Sequence, residues 1–164
     1  LCLDLGTTTG WAYIVRGVER VSGGSQSLDG SRSEGEGYRY AMFESWLSRL
    51  CHDLGPEAIY VEDVRRHNGT SAAHVYGGLR AVAAAVAWRR RIPLIAVGVG
   101  QIKKHATGNG NADKALMVTT QQAKGRVVVD DNHADALALL DYARSHPCPP
   151  PKAKKKKPSK AAAG

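Results

Sequence analysis

The sequence lacks any long apolar run. Nothing approaches the roughly 20 residues that a helix needs to cross a bilayer, and the longest candidate, Ala81–Trp88, is an Ala-rich octet with Arg on either side. No membrane association is expected. Cysteine is equally sparse. Cys2, Cys51 and Cys148 are odd in number and scattered, which argues against a disulfide framework and a structural zinc site and points to a reducing, cytoplasmic setting. No secretion signal is expected, since no basic-then-apolar stretch is seen at the start of the sequence, and no internal repeat is visible.

Charge, in contrast, is in excess. The 164 residues carry 23 Lys and Arg against 15 Asp and Glu, a net +8. Six of the Lys and five of the seven Pro fall in residues 147–164, which hold no acid. That leaves 17 basic and 15 acidic residues, or +2, for residues 1–146. The chain therefore divides into one nearly balanced domain, 1–146, and a basic Pro/Lys-rich tail, 147–164, expected to be disordered because it cannot bury enough apolar surface to offset chain entropy.

Along the domain, Leu1–Gly6 alternates apolar residues around one acid and predicts a strand. Thr7–Gly10 is expected to turn, Trp11–Val15 to resume as a strand, Val18–Val21 to form a further short one, and Ser22–Gly37, rich in Gly and Ser, to be hairpin and loop. Phe43, Trp46, Leu47, Leu50, Cys51 and Leu54 make one helical stripe that should stop at Gly55-Pro56. Ala58–Val61 predicts a buried strand ending on Glu62, and Thr70 or Ser71 can cap an Ala-rich helix reaching about Arg90. A strand over Ile92–Val99, a short helix over 100–105, a loop over 107–111 and helices over 112–124 and 132–144 follow, the last starting on Asp131 or Asn132. Strands first, then strands alternating with helices, predict an α/β domain with a mixed sheet.

Three acids stand where acids are unusual: Asp4 inside the first strand, Glu62 at the end of another, and Asp135 in the first turns of the last helix, with Asp131 four residues earlier on the same helix face. A buried carboxylate without a partner is costly. Several converging on one point suit hard, oxygen-seeking ions such as Mg²⁺ or Mn²⁺. Two ions about 3.5–4 Å apart would stabilise the attacking and leaving oxygens of a phosphodiester displacement.

The stretch Ile102-Lys-Lys-His-Ala-Thr-Gly-Asn-Gly-Asn-Ala-Asp-Lys114 resembles the signature of RuvC-type Holliday junction resolvases. Asp4-Leu-Gly-Thr-Thr-Thr-Gly10, Tyr60-Val-Glu62 and Asn132-His-Ala-Asp-Ala-Leu-Ala138 resemble that family's other motifs, in its order and spacing over residues 1–144. The compact 63–80 segment and the Lys-rich tail are closer to phage-encoded relatives. The resemblance implies a ribonuclease-H-like fold with a central mixed five-stranded sheet flanked by helices, a homodimer, and Mg²⁺-dependent nicking of four-way DNA junctions that leaves 5′-phosphate and 3′-hydroxyl ends. It implies two ions per site held by Asp4, Glu62 and Asp135, with in-line attack by a metal-activated water. The family's fourth position, usually Asp or His, is Asn132 here. Asp131 is the preferred fourth ligand, ahead of Asn132 and then His133. The position three past Glu62, aromatic in many bacterial members, is Arg65, followed by Arg66. Phosphate contact by these Arg predicts relaxed sequence choice and activity on forks and flaps as well.

Lys103, Lys104 and Lys114 match basic positions of the family motif and suit phosphate as mobile point charges. Arg89-Arg90-Arg91 either touches DNA or complements the dipole at a helix C-terminus. Gly77-Gly78 and the Ala run 81–87 are candidate dimer contacts. The Lys tail could neutralise up to six phosphates without sequence choice. Two other readings remain. One is a branched-DNA-binding protein with impaired catalysis. The other is a small ATPase, because Asp4–Gly10 also looks like the phosphate loop of the actin-like ATPases, although those need two such domains.

Overall fold

A computed structural model describes residues 1–15, 17–18, 20–30, 35, 37–66 and 69–148. Its elements are strand β1 (Cys2–Asp4), β2 (Thr8–Ile14), β3 (Val21–Ser27), helix α1 (Gly37–Leu54), β4 (Ile59–Asp63), α2 (Thr70–Arg89), β5 (Leu94–Gly98), α3 (Val99–Thr107), α4 (Lys114–Ala123) and α5 (Asp131–Ser145). The five strands form one mixed sheet in the order β3-β2-β1-β4-β5. β1, β2 and β3 run antiparallel, whereas β1, β4 and β5 run parallel. The architecture is the α/β arrangement that the sequence pattern predicts. The tail beyond residue 148 lies outside the described residues. Among the described residues, no helix is long and apolar enough to cross a membrane.

Helices cover both faces of the sheet. On one, Leu3, Leu5, Ile59 and Val61 pack with Phe43, Leu47, Tyr76 and Leu79 of α1 and α2. On the other, Cys2, Ala12, Tyr60 and Val97 pack with Ile102 of α3, Met117 of α4 and the apolar face of α5. Successive strand residues point to opposite faces. Asp4 therefore shares the α5 face with Cys2, and Glu62 shares it with Tyr60.

Several elements depart from the expectation. The Gly/Ser segment expected to be hairpin and loop is strand β3, paired over seven residues with β2 from Thr8↔Ser27 to Ile14↔Val21. β2 likewise begins at Thr8, not after a turn over Thr7–Gly10. Tertiary pairing overrides the low strand propensity of glycine here. β5 starts at Leu94 rather than Ile92, because the Ile92 amide is committed to the Ala87 carbonyl at the end of α2 and Pro93 has no amide hydrogen. The caps also differ. α2 is preceded by Gly69, whose φ of 136° favours glycine, so Thr70 and Ser71 lie inside the helix. α4 begins at Lys114 because the Asp113 carboxylate caps it by accepting from the Leu116 amide at 2.8 Å. α5 is capped by Asp130, neither by Asp131 nor by Asn132: the Asp130 side chain accepts from the His133 amide at 2.8 Å.

The α1–α2 contact separates the two adjacent glycines. A Cβ at Gly78 would overlap the Tyr40 ring, whereas one at Gly77 would meet nothing within 4 Å. Gly78 thus serves packing inside the chain, and only Gly77 remains on the outer face. Two of the three consecutive Arg staple the helix end to α1: Arg89 pairs with Glu44, and Arg90 donates to the Ser48 carbonyl at 2.8 Å.

Candidate active site

The parallel register pairs Cys2 with Tyr60 and Leu3 with Val61, so the next residues, Asp4 and Glu62, stand side by side at the C-terminal ends of β1 and β4. α5 crosses this face with its N-terminal turn beside them. Small residues bring it there. A Cβ at Gly10, the β2 partner of Asp4, would overlap the Asn132 carbonyl and come 3.0 Å from the His133 amide nitrogen. A Cβ at Gly23 would sit 2.5 Å from the Trp11 carbonyl oxygen and 2.7 Å from His133 Nε2. Ser25 of β3 adds a 2.5 Å hydrogen bond to the Asp130 cap. Backbone thus meets backbone where the helix begins, and Asp135, one turn further, faces Asp4 and Glu62.

The electrostatics show how close the three acids are. Burial, then the charges of Glu62 and Asp135, push the Asp4 carboxyl well above the usual carboxylate range. Glu62 rises to about 7, through burial and then Asp135. Asp135 rises to about 6, mainly through burial, with Lys103 and Lys114 opposing. The Asp4 and Glu62 carboxyls lie close enough that each alters the proton affinity of the other.

Two cations flank this group. Lys103, half-buried on α3, donates to the Ala112 carbonyl at 2.7 Å, which fixes its ammonium near Glu62 and Asp135. Lys114, exposed at the start of α4, is paired with Asp131. That pair holds Asp131 below its ordinary value and Lys114 above its own.

Of the nine residues singled out by sequence, six therefore gather: Asp4, Glu62, Asp135, Asp131, Lys103 and Lys114. Lys104, Arg65 and Arg66 are exposed nearby in sequence, but the cations that act on the acids are Lys103 and Lys114. His133 is buried, accepts from the Val129 amide at 3.2 Å through Nδ1 and lies with Nε2 against Gly23. Burial lowers its pKa. Sequence reasoning missed Gly23, which sat in a presumed loop, and Tyr76, whose hydroxyl donates to the Glu62 carbonyl at 2.7 Å and accepts from the Val64 amide at 3.3 Å. Its signal was faint, one aromatic in an Ala-rich helix.

Among the described residues, no three His, Cys, Asp or Glu side chains stand as a ready-made ligand set for an ion. Asp131 is engaged by Lys114. The donor chemistry nonetheless fits a hard divalent cation: four oxygen-bearing acids meet, and the raised pKa values mark negative charge that the protein alone does not neutralise.

No family model matches the chain. It is 30% identical to the crossover junction endodeoxyribonuclease RuvC of Wolbachia pipientis subsp. Culex pipiens, over 83% of this chain and 86% of that one. It is 29% identical to RuvC of Parvibaculum lavamentivorans, over 81% and 78%. In structure it is similar to Thermus thermophilus RuvC solved in complex with a Holliday junction substrate, with a TM-score of 0.73 and 23% identity over 88% of this chain and 93% of that one. It is more distantly similar to the yeast mitochondrial Holliday junction resolvase Ydc2, with a TM-score of 0.54 and 16% identity over 85% of this chain and 74% of that one.

Proposed function

The chain belongs to the RuvC family of crossover junction endodeoxyribonucleases, and from that premise we propose that it resolves four-way DNA junctions by divalent-metal-dependent nicking at the Asp4–Glu62–Asp135 centre. The observation that carries this reading is the convergence of three half-buried carboxylates with raised pKa values between Lys103 and Lys114. Asp4, Glu62, Asp135 and Asp131 would hold the cations, Mg²⁺ or Mn²⁺ and two per site. When bound, those cations supply Lewis-acid stabilisation of the oxygens whose charge changes during displacement.

The chain's own residues do the rest. Lys103, held in place by the Ala112 carbonyl, keeps one fixed positive charge beside the acids. Lys114, on an exposed side chain, can swing from Asp131 to a non-bridging phosphate oxygen as charge develops there. Water attacks phosphorus in line, the P–O3′ bond breaks, and the departing oxygen takes up a proton, leaving 3′-hydroxyl and 5′-phosphate ends. Lys104, Arg65 and Arg66 extend the cationic surface to flanking phosphates, and that contact, blind to base sequence, supports action on forks and flaps too. The nuclease unit is residues 1–146, with the tail 147–164 adding phosphate contacts. A homodimer would form through the outer face of α2, where Gly77, Ala81, Ala84 and Ala85 are exposed and Trp88 is 82% exposed.

The test is nicking of a labelled four-way junction with Mg²⁺. The wild type should give paired cuts, and Asp4→Asn should lose at least about a thousandfold in rate while still binding the junction. Asp131→Ala should also fail to cut; full activity in that variant would pass the fourth ligand to Asn132. A wild-type protein that binds junctions but cuts none with Mg²⁺ or Mn²⁺ would instead establish the catalytically impaired reading.

A further inference from the structure

Glu62 and Asp63 are neighbours at the end of β4, yet they point to opposite faces of the sheet. Glu62 joins the acids under α5. Asp63 faces α2, where its Oδ1 lies 3.9 Å from Arg80 and its Oδ2 lies 3.2 Å from Arg65 Nε. The same face of α2 carries Tyr76, one turn before Arg80, and its hydroxyl bonds the backbone on both sides of Asp63. One helix face therefore fixes the Glu62–Val64 end of β4 by main chain and the Asp63 carboxylate by charge.

The exposures differ sharply. The Asp63 side chain is 26% accessible and that of Arg65 is 86% accessible. A carboxylate beside a DNA path would by itself repel phosphate. Its bond to Arg65, however, is made at Nε, the neck of the guanidinium. Among the described residues neither terminal nitrogen has a partner, which leaves the fork that matches a phosphate. A long, exposed Arg otherwise loses rotamer freedom when it meets its target, and a local anchor reduces that loss.

We propose that Asp63, itself held by Arg80, is a positioning residue that aims the Arg65 fork at a DNA phosphate beside the catalytic centre. This rests on the reading that the chain acts on branched DNA. Asp63 acts through Arg65 and touches no reacting atom.

The sign of one substitution tests it. Asp63→Asn removes a negative charge near DNA, so an acid that merely repels phosphate would give tighter binding when neutralised. The proposal requires the opposite: affinity of the full chain for a four-way junction, measured by fluorescence anisotropy in Ca²⁺ buffer, should weaken about threefold. The single-turnover nicking rate at saturating protein should stay within twofold. Arg65→Ala should weaken binding and lower the slope of log affinity against log salt by about 0.9, the value of one phosphate contact. In the Arg65→Ala background Asp63→Asn should no longer weaken binding, a readout that a merely structural role would not give. Unchanged or tighter binding by Asp63→Asn alone, or the same weakening without Arg65, overturns the proposal. A wild-type chain that neither binds nor nicks junctions would fail the function reading itself.

Discussion

Against α1 and α2 the sheet presents Leu3, Leu5, Ile59 and Val61, and the helices answer with Phe43, Leu47 and Leu79, all buried. Against α5 it presents Cys2, Asp4, Gly10, Ala12 and Gly23, and α5 answers with Ala136 and Ala138 between its leucines. The first face gains its stability from large apolar side chains interdigitating. The second keeps side chains small where α5 begins, so main chain can approach main chain and four acids can be gathered at that end. Mutually repelling carboxylates are costly there. The face built of large residues is what lets the chain tolerate them.

The comparison predicts opposite phenotypes. Gly10→Ala should be the more damaging change despite adding a single methyl, because that methyl would overlap the Asn132 carbonyl and no flexible side chain is available to yield. α5 must shift, and misplacement of acids by about 1 Å costs on the order of a hundredfold in rate. Nicking assays on the folded fraction, with circular dichroism to define that fraction, measure this. Activity within twofold of wild type would mean that the close approach is not what places Asp135. Phe43→Ala, on the other face, should cost about 3–5 kcal/mol of stability through its cavity and leave the rate per folded molecule unchanged, by denaturant melts and the same assay. If its rate per folded molecule fell as far as that of Gly10→Ala, the two faces would not be separable.

The same contrast explains what was readable beforehand. The large-residue face announces itself: the α1 stripe from Phe43 to Leu54 has helical period, and Ala58–Val61 reads as a strand. Asp4, Glu62 and Asp135 were legible as acids in apolar or helical settings that must be compensated. β3 was not, since Val21–Ser27 is Gly and Ser in a region where those residues ordinarily mean loop, and only its pairing with β2 makes it a strand. The caps failed for a related reason. Asp130, Asp131 and Asn132 are all good cap residues, and Ser25, more than a hundred residues away, binds the first of them. The Lys103–Ala112 and Tyr76–Glu62 bonds link residues through space and leave no periodic trace.

Acidity offers the finest test of the gathered carboxylates. Asp4, Glu62 and Asp135 all have raised pKa values, through burial first. Such acids bind protons more tightly folded than unfolded, so the metal-free chain should lose stability as pH rises from about 4 toward the folded-state value of about 7 for Glu62. Asp131, held low by Lys114, and Asp141, where Arg126 and Lys124 outweigh burial, act in the opposite sense. Their effect is complete below pH 4; in the window above it the buried His133, whose pKa is lowered, offsets part of what the three raised acids do up to about pH 6.5. The expected decline is roughly 2 kcal/mol between pH 5.5 and 8. Mg²⁺ should reverse it, because the cation and the protons compete for the same oxygens. Asp4→Asn should flatten the profile, while Phe43→Ala should lower it without changing its shape. Denaturant melts at the two pH values, with and without Mg²⁺, measure all of these. Metal-free stability that rises from pH 5.5 to 8 would show that the three acids are not crowded together in the folded chain.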